Sequence, residues 1–89
     1  MRRPIIAGNW KMHKTVRESV DFARRLMIAY AESPDRRVVV APPFTSIYAV
    51  AEVLMGSGIH IAAQNVHDKQ AGAYTGEISA AMLVDAGCE

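Results

Sequence analysis

The chain has 89 residues, 51% of them hydrophobic and 21% charged, the composition of a globular domain and not of a disordered segment. Ten basic side chains against nine acidic ones leave a net charge of +1, which argues against a general binder of nucleic acid or other polyanions. A single cysteine, Cys88, leaves no internal disulfide and no cysteine-based zinc cage, so a reducing, cytoplasmic setting is expected.

In chain order, Arg2 and Arg3 precede an apolar stretch of only Pro4 to Gly8, too short for a secretory leader. No later run approaches the roughly 18 apolar residues of a membrane span, so no membrane partner is expected. The first predicted strand is Pro4 to Asn9, led by a proline, which a strand tolerates at its first position. Next, Thr15-Val16-Arg17-Glu18 reads as a capping box that opens a helix, with Val16, Val20, Ala23, Met27 and Tyr30 as its apolar stripe. Asp21 and Arg25 form a favourable i, i+4 pair on that helix, and Ser33-Pro34-Asp35 ends it. The charge is uneven: residues 1–37 hold nine basic and four acidic side chains, residues 38–89 one and five. The pairs Arg2-Arg3, Arg24-Arg25 and Arg36-Arg37 read as solvated helix faces or strand entrances.

Val38 to Ala41, a β-branched run stopped by Pro42-Pro43, is the second predicted strand. A helix from about Thr45 to Met55 follows, with Ile47, Val50, Ala51, Leu54 and Met55 on one face and Gly56-Ser57-Gly58 as its stop. The third strand is Ile59 to Ala63, with His60 expected to be packed or to face the helices. The third helix begins near Ser79, uses Met82, Leu83 and Ala86, and reaches Gly87; Cys88 at its end is expected to be a small core residue. The order is β-α-β-α-β-α with parallel strands, in one domain over residues 1–89 with no internal boundary. Two architectures fit this order, an open doubly wound sheet or part of a closed (β/α)₈ barrel.

Ligands of α/β folds bind at the carboxyl ends of the strands, here Asn9 to Lys14, Pro42 to Thr45 and Gln64 to Gly76. None carries the glycine fingerprint of a dinucleotide turn, a Walker loop or a GxSxG elbow. If the first strand runs on through Trp10 and Lys11, Asn9 and Lys11 project to one side and Trp10 to the other. An amide and an ammonium side by side suit an anionic small molecule or a developing oxyanion, while a solvent-facing lysine beside a turn-forming asparagine is the plainer reading. The Gln64–Gly76 loop exceeds the ~12 residues beyond which a structureless connection is usually functional or flexible. Within it Tyr74, between Gly72 and Gly76, either folds back on its own domain or enters a partner's pocket.

Four blocks decide among these readings: Ala7-Gly8-Asn9-Trp10-Lys11-Met12, Ala41-Pro42-Pro43-Phe44, Ala63-Gln64-Asn65, and Gly72-Ala73-Tyr74-Thr75-Gly76-Glu77-Ile78-Ser79. Their order and spacing resemble the triosephosphate isomerase family, from about residue 4 to residue 89 without an evident gap. The resemblance implies a (β/α)₈ barrel (the TIM barrel), of which this chain supplies the first three βα units; whole barrels take about 250 residues. It implies interconversion of dihydroxyacetone phosphate and D-glyceraldehyde 3-phosphate through an enediolate, in glycolysis and gluconeogenesis, with no metal and no organic cofactor. By the same resemblance Lys11 faces the substrate's phosphate and enediolate oxygens, as the electrostatic catalytic residue, and Asn9 hydrogen-bonds the substrate. The electrophilic histidine and the catalytic glutamate belong to segments beyond Glu89, and none of His13, His60 and His67 matches that histidine. The 64–79 loop would reach the neighbouring subunit of a homodimer, with Tyr74 and Thr75 protruding, Met12 in the contact, and Glu77 a structural acid beside it. Phenylalanine is frequent in the family where this chain has Tyr74. Two competing readings stand beside the enzyme. One is a non-enzymatic fragment, a folding module or one component of a split barrel, and on any reading the chain alone is expected to be inactive. The other is an open-sheet phosphate-binding domain, which a strand order with the first strand at the centre would favour.

Overall fold

Three parallel strands alternate with three helices in the computed structural model, which describes residues 4–31 and 35–89: β1 (Ile5–Asn9), α1 (Val16–Ala31), β2 (Arg37–Ala41), α2 (Phe44–Leu54), β3 (His60–Ile61) and α3 (Ala80–Ala86). The Arg2-Arg3 pair and the Ser33-Pro34 helix stop lie outside the described residues. The sheet order is β1-β2-β3, so the first strand is at an edge and each strand neighbours the next in sequence. This is the order of a barrel wall. It excludes a sheet with the first strand between the second and third, whereas the first three strands of a 3-2-1-4-5-6 doubly wound sheet also follow one another in sequence. Pairing runs from Ile5↔Arg37 to Asn9↔Ala41 and continues through Val39↔His60 and Val40↔Ile61.

Register partners in a parallel ladder share a face, which separates the sheet's two sides. Val38, Val40 and Ile61 lie on the side that joins the core with Trp10, Ala23, Ile47, Val50, Leu54, Ile59 and Leu83. The opposite side carries Ile5, Ala7 and Asn9 from β1, Arg37, Val39 and Ala41 from β2, and His60 from β3. His60 is therefore not on the helix side; it is half-buried, with its Nδ1 against the Glu89 carboxylate. β3 is also shorter than the apolar run suggests. Only His60–Ile61 is strand, although the Ala62 N–H still donates to the Val40 carbonyl at 2.9 Å. Along its other edge the Glu89 N–H donates to the Ile61 carbonyl at 3.0 Å.

The capping box of α1 forms in both directions: the Thr15 N–H donates to Glu18 Oε1 at 2.9 Å, and the Glu18 N–H donates to Thr15 Oγ1 at 3.2 Å. These bonds, with Lys14 nearby, hold the Glu18 carboxyl below its ordinary pKa. Asp21 and Arg25 pair at 2.5 Å on the solvent face, where Arg24 is also exposed. The buried stripe differs from the predicted one. Ser19 and Ala23 are its fully buried members, Leu26, Met27 and Tyr30 pack beside the core, and Val16 is exposed. The reason lies on α2, where Ser46 Oγ accepts from Ser19 Oγ at 2.8 Å with both residues fully buried. Two small hydroxyl side chains let the helices approach closely and satisfy each other, so the contact centres there and leaves the first turn outside it.

Two methionines placed on inward faces are in fact exposed. Met55 follows the last residue of α2, where the backbone has already left helical geometry, and it is 75% exposed. Met82 on α3 is 57% exposed, and Leu83 alone is buried there. Ser79 caps α3 by accepting from the Met82 N–H at 3.3 Å. At the other end Gly87 has φ of +123°, and a Cβ there would lie 2.4 Å from the Ala51 Cβ. Only glycine allows α3 to end against α2 in this way. Cys88 is half-buried beside the core, and burial raises its thiol pKa.

Candidate active site

The carboxyl ends of the three strands converge through backbone and amide hydrogen bonds. Strand pairing ends at Asn9, and the Trp10 N–H still donates to the Ala41 carbonyl at 3.1 Å. The strand does not run on through Lys11, as simple alternation would have it. Lys11 adopts φ of +54°, in the left-handed region, and its N–H donates to Asn9 Oδ1 at 2.9 Å. An asparagine side chain that accepts from the backbone two residues on makes an Asx-type turn. The turn brings the two predicted site residues together by a different route from strand alternation. Because Asn9 Oδ1 is engaged, the amide offers its NH₂ group, a donor that suits an anionic oxygen.

Trp10 separates from this pair as predicted. It is nearly buried on the helix side, with its ring edge-on to Phe22 at a centroid distance of 5.3 Å. The indole anchors the chain one residue before Lys11, so the exposed segment from Lys11 to Lys14 leaves a fixed point.

Gln64 lies just beyond β3, at the start of the long loop. Its Nε2 donates to the Ala41 carbonyl at 2.8 Å and to the Lys11 carbonyl at 3.0 Å. One amide from the loop after β3 thus ties the end of β2 to the turn after β1. Lys11, Met12, Pro43, Phe44, Gln64 and Asn65 line a cavity of about 170 Å³ at this junction. Sequence reasoning used Gln64 only as part of a motif and missed this role. Nothing in its local spacing signals it, because both acceptors are backbone carbonyls on distant segments.

The other predicted residues gather elsewhere. Tyr74 and Glu77 line a separate cavity of about 120 Å³ inside the long loop, together with His67, Gly72, Ser79 and Met82. The Tyr74 ring lies 4.4 Å from that of His67, tilted by 41°, so it folds onto its own loop, yet the residue is 44% exposed. Gly72 makes room for it: a Cβ there would meet Tyr74 Cε2 at 2.8 Å. The loop is tied down where the His67 N–H donates to the Ile78 carbonyl at 2.8 Å and the Glu77 N–H to the Tyr74 carbonyl at 3.0 Å. Thr75 and Glu77 are exposed, and Met12 is 94% exposed at the rim of the Lys11 cavity. Among the described residues no group of three or more His, Cys, Asp or Glu side chains could hold a metal ion, and no helix is long and apolar enough to cross a membrane.

Comparison with known proteins agrees with this arrangement. The sequence profile of the family described as Triosephosphate isomerase matches residues 4–89. Triosephosphate isomerase of Chloroflexus aurantiacus is 49% identical over 88 residues, covering 99% of this chain and 35% of that protein. The enzyme of Syntrophotalea carbinolica is 52% identical over 88 residues, with the same coverage. The crystal structure of triosephosphate isomerase from Bartonella henselae superposes with a TM-score of 0.82 at 39% identity, over 98% of this chain and 35% of that one. The chain thus spans about a third of the length of the curated relatives it matches, and its strands and helices are the first βα units of a TIM barrel. With matched sequence blocks, sequential parallel strands and a superposable backbone in agreement, the chain belongs to the triosephosphate isomerase family.

Proposed function

We propose that this chain is the substrate-anchoring N-terminal part of a triosephosphate isomerase, which interconverts dihydroxyacetone phosphate and D-glyceraldehyde 3-phosphate. The observation that carries the reading is the Asx-type turn that joins Asn9 to Lys11 at the carboxyl end of β1, with Gln64 tying the Lys11 carbonyl to the end of β2. An ammonium group and an amide NH₂ held there can bind a phosphate dianion and stabilise the charge of an enediolate. Preorganised donors of this kind need no reorientation as the charge develops, and losing one costs about 3–4 kcal/mol of transition-state stabilisation. Proton transfer between the two carbons requires a base, which these two side chains do not supply. In the family a carboxylate beyond the segment matched here does so, and the chain alone is accordingly inactive.

In the complete barrel Lys11→Ala should remove most turnover, by roughly 10²–10³-fold, and leave the circular dichroism spectrum unchanged. Turnover within about threefold of the parent would take Lys11 out of the site. The loop carrying Tyr74, Thr75 and Glu77, together with Met12, is proposed as the surface of a homodimer working in the cytoplasm. Its support is a half-exposed aromatic ring seated on a hydrogen-bonded loop. The competing reading, one component of a split barrel, is separated by mixing residues 1–89 with a polypeptide carrying the remaining βα units. Isomerisation by residues 1–89 alone would refute the proposed division of roles, and isomerisation only on mixing would support it.

A further inference from the structure

The segment from Lys11 to Lys14 is exposed throughout and is bracketed by two lysines with positive φ, Lys11 at +54° and Lys14 at +77°. Non-glycine residues persist in this region only where surrounding contacts hold them there. On the Lys11 side those contacts are the Asn9 carboxamide and Gln64. On the Lys14 side the contact is aromatic. Lys14 Nζ lies 4.7 Å from the centre of the Phe22 ring and 5.9 Å from that of Trp10, and the two rings pack edge-to-face. The ammonium thus sits where the faces of both rings attract a cation, and one of those rings belongs to the residue immediately before Lys11.

Resting on the substrate-site reading above, we propose that Lys14 is a positioning residue. Its cation, clamped by Phe22 and Trp10, holds the far end of the Lys11–Lys14 segment and so fixes where the Lys11 ammonium meets the anionic substrate. The clamp also accounts for Phe22, a large apolar side chain left partly exposed on α1, which packs on Trp10 and completes the seat for the cation.

The test uses steady-state kinetics of the complete isomerase carrying this segment, with Tm recorded for every variant. Lys14→Met keeps the stem and removes the charge, and Phe22→Leu keeps the apolar bulk and removes the ring. Each should lower kcat/KM by roughly two- to fivefold, the size of an exposed cation–π contact. The double variant should be no worse than the poorer single one, because both break the same contact. Lys14→Arg should restore the parent value, since a guanidinium also binds ring faces. Lys14→Gly should not, although glycine accepts the positive φ without strain. A silent Phe22→Leu, or a Lys14→Met loss that disappears at high salt, would overturn the proposal in favour of simple long-range attraction of the phosphate. Full activity in Lys14→Gly would overturn it in favour of backbone conformation alone. Lys11→Ala run alongside keeps the two readings distinct. If it retains turnover, the substrate site itself is wrong; if it loses turnover while Lys14→Met and Phe22→Leu match the parent, only the positioning role is wrong.

Discussion

Replacing Gln64 separates the cost of a hydrogen bond to stability from its cost to function. Gln64→Leu keeps the side chain's approximate bulk and deletes the Nε2 donor that reaches the Lys11 and Ala41 carbonyls. The Ala41 carbonyl keeps a partner in the Trp10 N–H at 3.1 Å. The Lys11 carbonyl loses its tie, but Gln64 and Lys11 are both exposed, so water can replace the donor. The stability loss is therefore that of one ordinary hydrogen bond, about 1 kcal/mol. Function should suffer more. The tie holds Lys11, the proposed substrate-binding cation, in the left-handed region, and a misplacement of about 1 Å there can cost on the order of 10²-fold in rate. Gln64→Glu sharpens the test, because its carboxylate puts an acceptor against two acceptors and should be at least as damaging as leucine. The assay is isomerisation by the complete barrel, read as kcat and KM beside a urea titration. Turnover within about threefold of the parent for both variants would refute the claim that Gln64 positions Lys11.

Tyr74→Asp should weaken the proposed dimer and lower activity in step with dissociation; an undiminished dimer in sedimentation would count against that surface. Ser46→Ala strands the buried Ser19 hydroxyl and should cost about 1–3 kcal/mol in chemical denaturation, while the Ser19→Ala, Ser46→Ala pair should recover much of that loss. The Glu18 carboxyl is held below its ordinary pKa, so the ionised form stabilises the folded state. Its contribution is fully present above the unfolded-state value and is lost as pH falls through the lower folded value. Stability should decline over that acidic window by a small amount that Glu18→Gln abolishes, and an identical pH profile for the variant would show the capping box to be uncharged in effect.

Legibility in the sequence followed the range of the interaction. The capping box of Thr15 and Glu18 and the Asp21–Arg25 pair are contacts within four residues, and each forms as the spacing indicates; α3 likewise starts just after Ser79 and stops before Gly87. The alternation of strands and helices was equally legible, because hydrophobic periodicity is a local property of the chain. The closure of Asn9 onto Lys11 was half legible. Their proximity followed from sequence, but the means did not, since an asparagine before a turn competes with strand extension and here the turn prevails.

Tertiary structure decided what depends on neighbours distant in sequence. It set the sheet order, with the first strand at an edge and not between the other two, because a β-α repeat is written the same way for either order. It turned His60 to the side opposite the helices, since alternation assigns two faces to a strand but not which face meets the core. It moved the α1–α2 contact onto Ser19 and Ser46, because two hydroxyls that satisfy each other can be buried where a single one would read as polar surface. It also brought Gln64 to the Lys11 carbonyl across 53 residues of chain, a bond between a side chain and a backbone group that leaves no pattern in the sequence.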